Sequence, residues 1–222
     1  MSSSEDEIHL RNAAGYFDII SHAYEIASRL SIPNQDAPDM LDRMLRLLAS
    51  HSIVTCSQGE HESRPVRLYG LAPVSKYFII NEDGASLGRV MELAQDKVYS
   101  NSWFKLKDSV TDGGIAFDKF YGMNVFEYMT LDTRFRLVFN NAMVNHSIFV
   151  MKEILEFYHG FDEIKCLVDV GGGLGVSLNT IITKYPNIKG INFDLADVTR
   201  DAPQYLGMFI LSTVQNGFYV IC

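Results

Sequence analysis

Cysteine is scarce in this chain, with three among 222 residues: Cys56, Cys166 and Cys222. They are odd in number and far apart, no pair has the close spacing of metal ligands, and no disulfide framework or metal site is expected. Such a chain is by default a reduced, intracellular protein, and the cytosol is the expected compartment. Positive charge is in deficit as well, with 19 Lys and Arg against 27 Asp and Glu and a formal net charge of −8. A nucleic-acid or anionic-membrane partner needs a basic footprint, so neither is expected. Long apolar runs are missing, and nothing reaches the ~18 residues of a membrane-spanning helix. The start, Met1-Ser-Ser-Ser-Glu-Asp-Glu7, has neither the basic-then-apolar order of a secretory signal nor the acid-poor composition of a transit peptide. Wholesale disorder is excluded by a hydrophobic content of 47% and a charged content of 21%. The length allows one large domain or two small ones, at ~100–200 residues each.

The chain then reads in order. Residues 7–30 are helical, in one or two pieces, the second over His22–Leu30. Pro33 and the Asn34-Gln35-Asp36 stretch interrupt the pattern. Asp36 or Asp39 can cap the next helix, with Pro38 in its first turn. That helix gathers Met40, Leu41, Met44, Leu45, Leu47 and Leu48 on one face and Asp42, Arg43 and Arg46 on the other. A short strand at Ile53–Cys56, a polar turn region over Ser57–Pro65 and a second strand at Val66–Leu71 follow. Helices before a β-hairpin make the winged-helix pattern, which serves DNA binding in some proteins and dimerisation in others. The first 100 residues carry nine basic and fourteen acidic groups, and phosphate neutralisation supplies most non-specific DNA affinity, so DNA binding is disfavoured. Residues 86–110 look helical and hold the only tryptophan, Trp103. A long helix is predicted from about Thr133 to Tyr158, with Gly160 as its C-cap. It has too many apolar positions for one stripe and must bury more than one face.

The chemistry-bearing stretch is Cys166-Leu-Val-Asp-Val-Gly-Gly-Gly-Leu-Gly175. Cys166–Val170 is a short apolar run, hence a buried strand. The glycines make a tight turn, Val176–Tyr185 has helical spacing, Pro186 stops that helix, and Gly190–Phe193 is the next strand with Asp194 at its carboxyl end. Strand, glycine turn, helix, strand and acid form the first half of a Rossmann-like unit. Bare glycines let a ligand reach the backbone, the helix N-terminus favours an anionic group, and the closing acid accepts hydrogen bonds from ribose hydroxyls. The dinucleotide pattern G-x-G-x-x-G/A would need Gly or Ala at 176, which is Val. The glycines instead alternate at Gly171, Gly173 and Gly175, with Asp169 two residues ahead. Acid-x-G-x-G-x-G is the pattern of S-adenosylmethionine (SAM) sites, where the early acid can face the cationic methionine end of the cofactor. NAD, whose pyrophosphate would be repelled by Asp169, is the disfavoured alternative.

Leu167–Gly175 and Lys184–Leu195 together resemble the plant small-molecule O-methyltransferases of the caffeate O-methyltransferase type. Asp36–Ser50, Leu68–Pro73, Tyr121–Tyr128 and Phe139–Ser147 agree, so the resemblance covers roughly residues 22–207. It implies a mainly α, winged-helix-like N-terminal dimerisation domain at 1–82, a helical connector lining the substrate pocket at 83–160, and an incomplete α/β Rossmann-like SAM-binding domain at 161–222. It implies methyl transfer from SAM to a hydroxyl, usually of a phenol, with a histidine as general base. Gly171, Gly173 and Asp194 match cofactor-binding positions, and Asp169 matches the acid before the turn. Phe135, Phe139 and Met143 match positions lining the phenolic pocket, although a row at i, i+4, i+8 is equally the mark of ordinary core. Met129 stands in that pocket region where a His is usual, and Leu93-Ala94 where a Met-Asn pair is usual. Losing the imidazole and amide removes hydrogen-bond partners for ring substituents, so caffeate is not the expected substrate.

The resemblance stops near Gly207. The family's Gly-Asp-Met-Phe acid is absent, as is the His-Asp segment that holds its base, and no charged residue follows Asp201. His9, His22, His51, His61, His146 and His159 match no base position, so no catalytic residue is assigned. Residues 1–20 do not match the family's first helices. The expectation is a transferase shortened at both ends, with little activity alone, acting as a homodimer or as a heterodimer with a homologue. The alternative is a non-catalytic dimerisation partner of a longer relative.

Overall fold

A computed structural model describes residues 21–200 and 202–212. The predicted helix ahead of residue 21 lies outside them. The chain divides between Ser86 and Leu87 into two compact units.

In the first unit, α1 spans Ala23–Arg29 and is capped by His22, whose Nδ1 accepts the Glu25 N–H at 3.2 Å. Helix α2 spans Ala37–Ser50, with Asp36 at its N-cap making no side-chain bond and Pro in its first turn. An antiparallel hairpin follows, β1 at Val54–His61 and β2 at Arg64–Leu71. Both strands run through the stretch expected as a polar turn. The turn itself is only Glu62 and Ser63, at φ 48° and 60°, as a two-residue hairpin loop requires. The tip is exposed on both faces, so its residues lack the alternation that marks a half-buried strand. Asp42 was expected on the solvent face of α2. It faces the hairpin instead, accepting from Tyr69 Oη at 2.7 Å and Arg67 at 2.9 Å. Tyr69 is buried, and burial followed by the Asp42 bond raises its phenol above the ordinary value. The apolar side chains of Met40, Met44 and Leu47 are more than half exposed.

In the second unit, short helices lead to a long one: α3 at Gly88–Gln95, α4 at Lys97–Asn101, a 3-10 turn at Ser102–Lys105, α5 at Leu106–Asp112, α6 at Ala116–Tyr121 and α7 at Val125–Leu131. Asp96 caps α4 and pairs with Arg134, which holds its carboxyl below the ordinary range. Asn124 and Glu127 close a capping box at α7. Asp132 starts α8, Thr133–Phe157, by accepting the Phe135 N–H at 2.9 Å. One end of α8 packs Phe135 and Ala142 against Leu93, Val98, Phe117 and Met129. Its other end packs Leu155 against Leu178, Ile181, Ile182 and Ile188.

Three parallel strands follow in the order β3-β4-β5: Cys166–Val170, Lys189–Asp194 and Met208–Ser212. Helix α9, Val176–Lys184, connects the first two. The short α10, Ala196–Thr199, follows β4. The fold is thus a unit of helices and a hairpin followed by a helical region and a partial Rossmann-like sheet. Cys56 is a free, exposed thiol. No helix among the described residues is long and apolar enough to cross a membrane.

Candidate functional site

Strand β3 runs directly into the glycine turn. Gly171 and Gly173 take φ of 78° and 59°, the left-handed region, and a Cβ on either would meet nothing within 4 Å. Backbone conformation, not crowding, therefore demands glycine there, and the turn presents bare main chain. The Gly171 N–H donates to Phe193 O at 2.8 Å, tying the turn to β4. Asp194, at the end of β4, accepts from Gly173 N–H at 2.7 Å through one carboxylate oxygen and from Leu195 N–H at 2.6 Å through the other. Each oxygen keeps a further lone pair. Asp169, at the end of β3, is half-buried. Burial first, and the Asp194 charge second, push its carboxyl above the ordinary value.

A cavity of about 400 Å³ opens over this turn. Asp169, Gly171, Gly173 and Asp194 all line it, and so do Met129, Phe139 and Met143 from α7 and α8. Seven of the eight residues singled out in the sequence are thus brought together. Phe135 is not among them: it has no exposed surface and stacks on Phe117 in the core. An α-helix advances about 40° past a full turn every four residues. A row at 135, 139 and 143 therefore rotates from core to cavity along its length. Phe126, Asn140, Val144, Ser147, Ser177 and Val198 complete most of the wall and were not foreseen. Asn140 and Ser147 put polar groups into the otherwise apolar α8 side. A second hollow, about 450 Å³, is mostly apolar, with Asp169, Ser177 and Tyr158 the polar-bearing side chains of its lining, and shares only Asp169 with the predicted set.

No imidazole among the described residues lines either space, and His146 is exposed on α8. No group of three or more His, Cys, Asp or Glu among the described residues is placed to hold a metal ion. The arrangement suits a ligand with a cationic or hydroxyl-bearing end at the two carboxylates and an apolar partner along α7 and α8.

Residues 103–216 match the O-methyltransferase domain, and residues 15–81 match the O-methyltransferase dimerisation domain. The chain belongs to the O-methyltransferase family. It is 57% identical over 185 residues to a caffeic acid 3-O-methyltransferase of Medicago sativa, covering 83% of this chain and 51% of that protein. With O-methyltransferase 13 of Lophophora williamsii the identity is 56% over the same shares. The chain therefore spans about half the length of the curated O-methyltransferases it matches. Among solved structures, human N-acetylserotonin methyltransferase in complex with SAM superposes with a TM-score of 0.69 at 15% identity, over 96% of this chain and 68% of that one. CalO1, a methyltransferase of calicheamicin biosynthesis in its S-adenosylhomocysteine (SAH)-bound form, gives 0.65 at 19% identity over 96% and 67%. These likenesses show that the fold is shared.

Proposed function

We propose that this chain binds SAM at the glycine turn and serves methyl transfer to the hydroxyl of a phenolic small molecule in the cytosol, as part of a homodimer or a heterodimer with a homologue. The observation that carries the reading is one cavity framed by two carboxylates, a bare glycine turn and an aromatic-thioether wall. The residues suit SAM. Asp169, already penalised by burial and by Asp194, is relieved by a nearby positive charge. Asp194 retains lone pairs for two hydroxyl donors, and the open sides of Gly171 and Gly173 leave room for close approach. A dinucleotide pyrophosphate would instead add negative charge beside two carboxylates. When bound, SAM supplies a methyl group made electrophilic by its sulfonium.

The chain's own residues bind, orient and exclude water. Asp194 holds hydroxyls, Asp169 balances positive charge, and Phe139, Met143 and Met129 present an apolar surface on which an aromatic ring can lie. Met129 is buried between the cavity and the core that contains Leu93. A thioether at Met129 and a methyl at Ala94 stand where the family usually has an imidazole and an amide, so the proposed acceptor carries fewer polar groups near that wall than caffeate. No residue is assigned as proton acceptor. The dimerisation-domain match and the exposed Met40, Met44 and Leu47 of α2 support self-association through the first unit.

Calorimetry of the purified chain with SAM, SAH and NAD in parallel tests the cofactor. SAM and SAH are expected to bind and NAD is not, and a preference for NAD overturns the reading. Turnover of labelled SAM over a panel of phenols tests the reaction class: methyl ethers are the products that support it, formed slowly by this chain alone, since no imidazole among the described residues lines the cavity.

A further inference from the structure

Asn192 lies in the middle of β4 with no exposed surface. Its strand neighbours Ile191 and Phe193 are apolar, as a parallel strand covered on both sides requires, so an amide there is an exception. Asn192 Nδ2 donates to the carbonyl oxygen of Gly173 at 3.0 Å. Two residues along the strand, Asp194 Oδ2 accepts the N–H of the same glycine at 2.7 Å. Side chains two apart on a strand share a face, so one face of β4 holds both backbone groups of a single turn residue. The remaining amide atom, Asn192 Oδ1, is buried without a partner. It lies against Gly172, where a Cβ would overlap it and would also come within 2.7 Å of Asp169 Oδ2. Turning the amide over would set its oxygen against the Gly173 carbonyl, acceptor to acceptor, so the donor bond fixes the orientation and leaves the oxygen empty. A buried, empty acceptor costs stability, and an apolar residue of similar shape would avoid that cost.

We propose that Asn192 is a positioning residue for the cofactor site, acting through Gly173 without touching the ligand. The inference rests on the SAM reading of the cavity. When hydroxyl donors engage the remaining lone pairs of Asp194, the shared oxygen Oδ2 holds the Gly173 N–H less strongly. The Asn192 bond holds Gly173 from its other end, so the turn stays in place while Asp194 turns its attention to the ligand. Asn192 also accounts for Gly172, the one glycine of the three that crowding rather than φ requires.

The test uses the full 222-residue chain as wild type, Asn192→Leu and Asn192→Asp, with three readouts: melting temperature, hydrogen exchange and chemical shift of the Gly173 amide by NMR, and SAH affinity by calorimetry across pH. Asn192→Leu is expected to melt no lower than wild type, to lose protection at Gly173, and to bind SAH about tenfold more weakly or worse, as misplacement of a binding group does. Asn192→Asp keeps the shape, loses the donor and adds a carboxylate beside Asp169. The added like charge raises the Asp169 carboxyl further, so SAH affinity at neutral pH is expected to weaken and its pH profile to move to higher pH, while loss of the donor removes protection at Gly173. Wild-type SAH affinity and unchanged Gly173 protection in Asn192→Leu overturn the proposal. If Asn192→Leu does not fold, Asn192→Asp decides by the same readouts. If wild type binds no SAH, the SAM reading falls, while the Gly173 amide alone still decides whether Asn192 positions the turn.

Discussion

Asp169 is the residue whose protonation the fold disturbs most usefully. Its carboxyl is raised above the ordinary 3.8 by burial and then by Asp194. Between that ordinary value and the raised one the folded state binds more protons than the unfolded state, so stability falls as pH climbs through the window and the penalty persists above it. Asp169→Asn removes the charge and is expected to melt higher than wild type at neutral pH without ligand, and to bind SAM more weakly. Differential scanning fluorimetry with and without SAM checks both signs. Because a cationic ligand favours the ionised carboxyl, SAM binding should release protons when measured near the raised value. Calorimetry in buffers of different ionisation enthalpy reads that release. Asp194→Ala removes two charge-assisted acceptors and unhooks the Gly173 N–H. A loss of about 1.5–3 kcal/mol in SAH binding is expected for each charged hydrogen bond that goes unmade, and titration calorimetry measures it. This carboxylate pair was legible in the sequence because chemistry dictated both residue type and spacing. Asn192 was not, because a single amide inside an apolar strand carries no periodic signal.

Among the elements, α8 separates two kinds of aromatic that look alike in sequence. Phe135→Ala empties a fully buried site and is expected to cost about 3–5 kcal/mol in chemical denaturation. Met143, 38% exposed at the cavity, should cost far less when changed to alanine while still weakening binding of an aromatic acceptor. The pair of denaturation curves distinguishes core from cavity, which spacing alone could not do, since i, i+4, i+8 describes both. The hairpin was underestimated for a related reason: Ser57–His61 pairs fully with β2 but buries neither face, so hydrophobicity had nothing to mark. β5 went unread because Met208–Ser212 lies where the family resemblance ends and is a strand chiefly through its pairing with β4. The strand–turn–helix–strand order of 166–194, by contrast, was readable to within a residue or two, because a buried parallel strand, a glycine turn and a proline stop each leave a local mark.

For the whole molecule, the dimerisation-domain match and the uncovered α2 side chains belong to the first unit, whereas the cavity belongs to the second. Leu47→Glu on α2 is therefore expected to shift sedimentation velocity profiles toward monomer while leaving SAH affinity within about twofold, since substitutions that share no partners add independently. Loss of both together would show that assembly and binding are coupled.

Helix α8 touches both hydrophobic clusters of the second unit, the aromatic one through Phe135 and Ala142 and the one under the sheet through Leu155. Its 25 residues span about 37 Å at 1.5 Å per residue. Like a beam seated in two bearings, it ties the wall where an acceptor would lie to the strands that carry the glycine turn. Heating cannot release one cluster without unseating the other, so the second unit should melt in a single calorimetric step, and a ligand gripping either end should raise that step as a whole.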